Sequence, residues 1–250
     1  RRINLKTKRC SFRQMLCLAI TVIMALTITI VPAFAAFGES AEKTVTVNGY
    51  TYVFYSLIHN EDSNEIDYQT TVKTTSASYV PVGYMGVKAR LYSSSGSLIA
   101  STDWSYNTDE VALDLQSDYY RTTTGYYYSK GQVKLYYGNG YNTYDSYATP
   151  NFAPSRSVTA DPDAYNIQRN ENGEIYGSEF FLNEIGVQPD LVLAENTAGV
   201  VGYVRASDLS VSEVTTPAEA IAAMENNATR SIPMYLSDGE TVVGTFVIDN

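Results

Sequence analysis

Apolar and polar residues alternate along much of the chain from Thr44 to Tyr137, the period of strands with one buried face. Thr44-Val45-Thr46-Val47 and Tyr50-Thr51-Tyr52-Val53-Phe54-Tyr55 flank Asn48-Gly49. Both turn residues tolerate the positive φ of a tight type I′ turn, so a hairpin is expected there. Further strands are expected over 68–75, 84–92, 98–104, 111–115, 119–128 and 132–137, separated by turns such as Ser93-Ser94-Ser95-Gly96-Ser97 and Gly138-Asn139-Gly140. In Val87-Lys88-Ala89-Arg90-Leu91-Tyr92 the apolar residues read as a buried face and the charged ones as a wet face.

The pattern changes after residue 153. Thr216-Pro217-Ala218-Glu219 predicts the start of a helix running to about Asn226. Thr216 caps free N–H groups, Pro217 suits the first helical position, and Glu219 completes a capping box. Strands are expected over 191–194 and 200–205, and a closing hairpin around Asp238-Gly239 joins 232–236 to 241–248. The fold class expected is mainly β: an N-terminal antiparallel β-sandwich or barrel, plus a small α+β C-terminal domain with one clear helix and a closing hairpin. Tyrosine usage supports the division, since 18 of the 22 tyrosines lie between Tyr50 and Tyr147. The expected organisation is a Tyr-rich domain over 42–153, a linker over 154–159 and the small domain over 160–250.

Residues 1–35 read as a signal peptide. A basic start ending at Arg13 is followed by an apolar run from Met15 to Val31, then by Ala33-Phe34-Ala35, an A-x-A site for signal peptidase before Ala36. The expectation is a secreted or cell-surface protein whose transient partners are signal peptidase and the secretion machinery. The alternative is that the apolar run stays as an uncleaved anchor. Six of the 17 basic residues and none of the 27 acidic ones precede Ala36, leaving 11 against 27 and a net charge of −16. Such a chain repels phosphate backbones, which argues against nucleic acid as a partner. Both cysteines, Cys10 and Cys17, also precede Ala36, so the mature part has no disulfide, thiol nucleophile or thiolate ligand. Extracellular proteins without disulfides are ordinary in Gram-positive bacteria.

Candidate chemistry is sparse. His59 is the sole histidine, with Asp62 near it in sequence, and no Gly-x-Ser-x-Gly elbow is present. Carboxylates recur at Asp161/Asp163, Glu171/Glu174 and Glu179/Glu184, spacings that an acidic chain produces by chance. No cofactor is expected, with calcium as the exception that an extracellular setting allows. Asp161 and Asp163 open a loose calcium loop, but Tyr165 and Asn166 break the EF-hand pattern. Asp62-Ser63-Asn64-Glu65-Ile66-Asp67 is similarly oxygen-rich. The tyrosines are the remaining candidates. Tyr119, Tyr126, Tyr128 and Tyr136, with the sole tryptophan Trp104, are read as a ligand-binding set in which exposed rings stack on a sugar or peptide. The competing reading is a cross-strand ladder that only stabilises a sheet.

Gly199-Val200-Val201-Gly202-Tyr203-Val204-Arg205-Ala206-Ser207-Asp208-Leu209 resembles the closing strand of bacterial SH3-like repeats. Tyr84-Met85-Gly86, Pro189-Asp190-Leu191 and Ile232-Pro233-Met234-Tyr235 are similar to stretches of uncharacterised secreted proteins of Firmicutes. That resemblance implies secretion and no particular activity. The reading is a secreted, non-enzymatic binding protein for a surface glycan or peptide. Alternatives are a carboxylate-dependent hydrolase, an accessory domain of one, or a bacteriocin-like factor.

Overall fold

The computed structural model describes residues 37–62, 65–122, 125–150, 152–155, 168–181, 186–209, 213–225 and 228–249. The expected leader, the 156–159 part of the expected linker and the Asp161/Asp163 loop lie outside them. The strands begin with β1 (Phe37–Glu39), β2 (Lys43–Val47), β3 (Tyr50–Asp62), β4 (Glu65–Thr74), β5 (Met85–Lys88), β6 (Arg90–Ser93), β7 (Leu98–Ser101), β8 (Ser105–Tyr106) and β9 (Leu113–Arg121). They continue with β10 (Gly125–Ser129), β11 (Gln132–Tyr136), β12 (Tyr141–Asp145), β13 (Phe152–Ser155), β14 (Gln168–Arg169) and β15 (Ile175–Gly177). The last four are β16 (Leu191–Glu195), β17 (Val201–Arg205), β18 (Arg230–Tyr235) and β19 (Val242–Ile248), and the helix α1 (Pro217–Glu225) precedes β18.

The molecule is mainly β, and its described strands form three sheets. The first has the order β1-β3-β4-β9, with β2 also on β3. The second has the order β12-β11-β5-β8. The third runs β13-β10-β6-β7-β16-β17-β18-β19, with β15 and β14 beside β16. The Asn48-Gly49 hairpin forms as its turn chemistry requires: Val47 pairs with Tyr50, and the two turn residues have φ of 50° and 81°. The capping box also forms. Thr216 Oγ1 accepts from the Glu219 N–H at 3.2 Å, and Glu219 Oε2 accepts from the N–H groups of Thr215 and Thr216. The closing hairpin is β18–β19, with Asp238 Oδ1 accepting from the N–H groups of Glu240 and Thr241.

Sandwich packing comes from the long first sheet. One end of it sets Tyr52, Phe54 and Val72 against Met85, Val87, Val133 and Leu135 of the second sheet. The other end sets Ile58, Ile66 and Tyr68 against Leu91, Ile99 and Ala100 of the third. The expected strand 84–92 must serve both partners. It breaks at Ala89, so that β5 lies in the second sheet and β6 in the third. Ser129, Lys130 and Gly131 make the same transfer between β10 and β11. At this corner Gly131 N–H points at Ser56 Oγ (3.1 Å) and Ser146 Oγ (3.0 Å), and Ser56 Oγ also bonds Thr70 Oγ1 at 3.1 Å.

Two expectations need correction. Lys88 and Arg90 are buried rather than wet. Their strand does alternate, but its second face is covered by the C-terminal part of the chain. That cover also undoes the division at 154–159 into separate domains. β6, β7 and β10 share a sheet with β16–β19, and the described residues form one compact unit. A third core joins the two parts, with Tyr92 and Leu98 packed among Val192, Val204, Met234 and Phe246. Among the described residues, no helix is long and apolar enough to cross a membrane.

Strand β9 lies at an edge. It turns Leu113, Leu115 and Tyr119 outward, while Asp114 points the other way and is partly buried. Asp114 Oδ1 accepts from Leu115 N–H at 2.9 Å, and Oδ2 is buried with no hydrogen-bond partner among the described residues. Burial pushes its carboxyl up to about 6. A raised carboxyl favours the folded state while protonated, and that contribution is lost as pH rises through the folded value. Asp114→Asn should therefore raise the melting temperature at pH 7.5 and leave it nearly unchanged near pH 3.5. A tenfold change in proton affinity corresponds to about 1.4 kcal/mol, so the gain is at most about 3 kcal/mol. Equal melting curves for the two proteins at pH 7.5 would contradict the assignment.

Candidate functional site

The second sheet has two unlike faces. One belongs to the apolar core; the other carries Lys88, Gln132, Lys134, Tyr136, Tyr141, Thr143 and Tyr106. Register places these residues in rows: Thr143, Lys134, Gly86 and Tyr106 lie across the four strands, and Gln132 lies opposite Lys88. Gly86 is needed in its row because a Cβ there would come within 2.6 Å of the Tyr106 ring. The ring therefore lies over the backbone of the floor.

Aromatic residues form a continuous series that starts at Tyr50 of the first sheet and runs onto this face. Tyr50, Tyr84, Tyr136, Tyr141, Tyr106 and Trp104 follow one another with ring centroids 5.0–6.4 Å apart, the range of favourable tilted and edge-on contacts. Trp104 ends the series with only 5% of its surface exposed. Lys134 Nζ lies 4.5 Å and Lys88 Nζ 5.0 Å from its ring centroid, so two amine groups stand against the indole ring. Lys88 donates to the Leu209 carbonyl at 2.6 Å, and burial holds its amine well below the usual range. Burial also lowers Lys134, against the opposing pull of Glu213.

A cavity of about 630 Å³ opens above this floor. Lys134, Trp104, Tyr137, Tyr141 and Thr143 line it from the sheet side; Gln188, Ser207 and Glu213 close it from the C-terminal part. Arg90 reaches it too, anchored by a buried ion pair with Glu179 Oε2 at 2.6 Å. Burial works against the Arg90 charge, but Glu179 outweighs it and holds the guanidinium above its ordinary pKa. The second carboxylate oxygen of Glu179 accepts from Gln188 Nε2 at 3.2 Å, so one buried carboxylate fixes residues on both sides of the cavity. Helix α1 packs behind, with Ala220 and Ile221 against Trp104 and Tyr106. Two donors of cavity-lining residues, Trp104 Nε1 and Arg90 Nε, are buried with no partner among the described residues.

The sequence-derived ligand set separates in space. Tyr136 and Trp104 both belong to the aromatic series. Tyr128 is packed on Phe180 at 4.9 Å in the third sheet, and Tyr126 lies on the same strand. Tyr119, 51% exposed, stands on β9 of the first sheet. These residues do not form one row, because consecutive strands β9, β10 and β11 enter three different sheets. Lys134, Tyr137, Tyr141 and Gln188 are not among the residues that the sequence points to. The spacing of Gln132, Lys134 and Tyr136, repeated by Tyr141 and Thr143 beyond a Gly-Asn-Gly turn, is the signal that could have found Lys134 and Tyr141.

His59 faces Asp67 across β3–β4, with Nε2 3.4 Å from Oδ2. It stands on the first sheet, apart from the cavity floor on the second. Among the described residues, no group of three or more His, Cys, Asp or Glu gathers to hold a metal ion. The Asp62–Asp67 loop falls partly outside those residues. Comparison with known proteins yields no match: no family model, no curated protein and no solved structure is similar to this chain.

Proposed function

We propose that the chain is a non-enzymatic binding protein, exported through its N-terminal leader, whose ligand site is the cavity over the second sheet. One observation carries the reading: a preformed cavity of about 630 Å³ with an aromatic floor and a wall of amide, hydroxyl and amine groups. Sites for small ligands have this size and this mixture of apolar faces with a few placed polar groups. A surface glycan or peptide fits that chemistry. A carboxylate-dependent hydrolase fits less well, because Glu213 and the paired Glu179 do not stand as two free acids facing a substrate.

Tyr137 offers the cleanest test, since it lines the cavity and is 46% exposed, so its loss should leave the fold intact. Protein collected from culture medium should begin at or near Ala36 and bind purified cell-wall material. Tyr137→Ala should weaken that binding about fivefold, the value of a stacked ring worth about 1 kcal/mol. Tyr119→Ala, on another sheet, should not. Unchanged binding by Tyr137→Ala, or a loss confined to Tyr119→Ala, would remove the cavity from consideration.

A further inference from the structure

A second cavity of about 530 Å³ adjoins the first. Asn172, Glu174, Asp190 and Arg205 line it, and it shares Gln188, Ala206 and Ser207 with its neighbour. Each cavity alone is of the size that holds one small ligand. The shared residues therefore mark a boundary between two adjoining compartments along one groove.

That boundary is fixed in place. Gln188 is tied to Glu179, and Glu179 to Arg90. Ala206 N–H donates to the Asp190 carbonyl at 2.9 Å, which anchors the turn that carries Ser207. Ser207 itself is exposed. A ligand crossing the boundary meets Gln188 and Ser207, whose segments these hydrogen bonds hold.

We infer that the two cavities are subsites for one extended neutral glycan, an inference that rests on the first cavity being the ligand site. The walls supply hydroxyls and planar amides, from Thr143, Asn139 and Gln188 to Asn172. Their charges are largely matched internally: Arg90 with Glu179, Arg205 with Glu174 at 2.7 Å, and Lys134 in the field of Glu213. Groups arranged this way bind hydroxyl-rich chains through paired donors and acceptors and give an ionised peptide side chain little net charge to meet. The exposed Tyr137 ring at the first cavity supplies a face for the C–H side of a sugar ring.

The test uses the mature chain and neutral cello-, chito- and manno-oligosaccharides from disaccharide to hexasaccharide, with binding measured by calorimetry. At least one series should bind, and its longer members should bind about tenfold more tightly than its disaccharide. Ser207→Trp, which blocks the boundary, should erase the gain of the longer chains over the disaccharide measured with the same variant; Asn172→Ala, at a residue that lines the second cavity alone, should reduce it. Affinity independent of length, or a gain that survives Ser207→Trp, overturns the two-subsite assignment even where Tyr137→Ala still weakens short-chain binding. Full binding of every chain length by both the Tyr137 and the Asn172 variants defeats the underlying site as well. Binding of peptides with none of the three series binding overturns the glycan class.

Discussion

Glu179→Ala should destabilise the protein by about 3–5 kcal/mol, because it strands the buried Arg90 guanidinium without its counter-charge. The loss has a second part. Glu179 also receives Gln188, so its removal frees the segment that closes both cavities. Glu179→Gln keeps the shape and some hydrogen bonding and should fall between the wild type and the alanine variant. Replacing both members of the pair, Arg90→Met with Glu179→Leu, should recover much of the lost stability, since no isolated charge then remains in the core. Urea denaturation of the three variants decides the matter. A cost below about 1 kcal/mol for Glu179→Ala would mean that the pair is hydrated in solution.

Gly131→Ala should cost about 3 kcal/mol or more and leave little folded protein. A Cβ at this corner would overlap Thr70 Oγ1 and the Lys88 carbonyl oxygen. One obstacle is a short side chain and the other is backbone, so the site cannot relax by a change of rotamer. The substitution would also push apart the hydroxyl cluster of Ser56, Thr70 and Ser146 that receives the Gly131 N–H. Thr70→Ala combined with Gly131→Ala should restore only part of the stability, because the Lys88 carbonyl still blocks the methyl group. Full recovery in the double variant, or a mild single variant, would show that backbone crowding is unimportant here. Thermal melts followed by circular dichroism give the comparison.

Local chemistry is readable in this sequence and its tertiary use is not. Asn48-Gly49 and Thr216-Pro217-Ala218-Glu219 specify their own geometry within a few residues, and both form as expected. The alternation through Lys88 and Arg90 does mark two faces. What covers the second face is supplied by residues more than eighty positions away, Glu179 for Arg90 and Leu209 for Lys88, and no local pattern announces them. As sequence, Trp104 and Tyr136 suggest exposed platforms, yet the structure uses both inside a ring series, with Trp104 nearly enclosed. Tyr119 is exposed as expected but stands on another sheet. The cavity depends on where β5 parts from β6 and β11 from β10, at the breaks at Ala89 and at Ser129–Gly131. The second break falls between two expected strands, but the one-residue break at Ala89, inside an otherwise continuous run, carries almost no sequence signal.

The third sheet is finished by strands far along the chain, β16–β19. β7 meets β16 at Leu98 and Ala194, and Asp249 exchanges backbone hydrogen bonds with Ser101 and Asp103. During synthesis, therefore, β6 and β7 emerge long before the strands that complete their sheet. Pairings this distant in sequence form slowly, since loop closure comes before any contact rewards it. A nascent chain whose third sheet stays open until β16–β19 have been made is poorly suited to folding by halves.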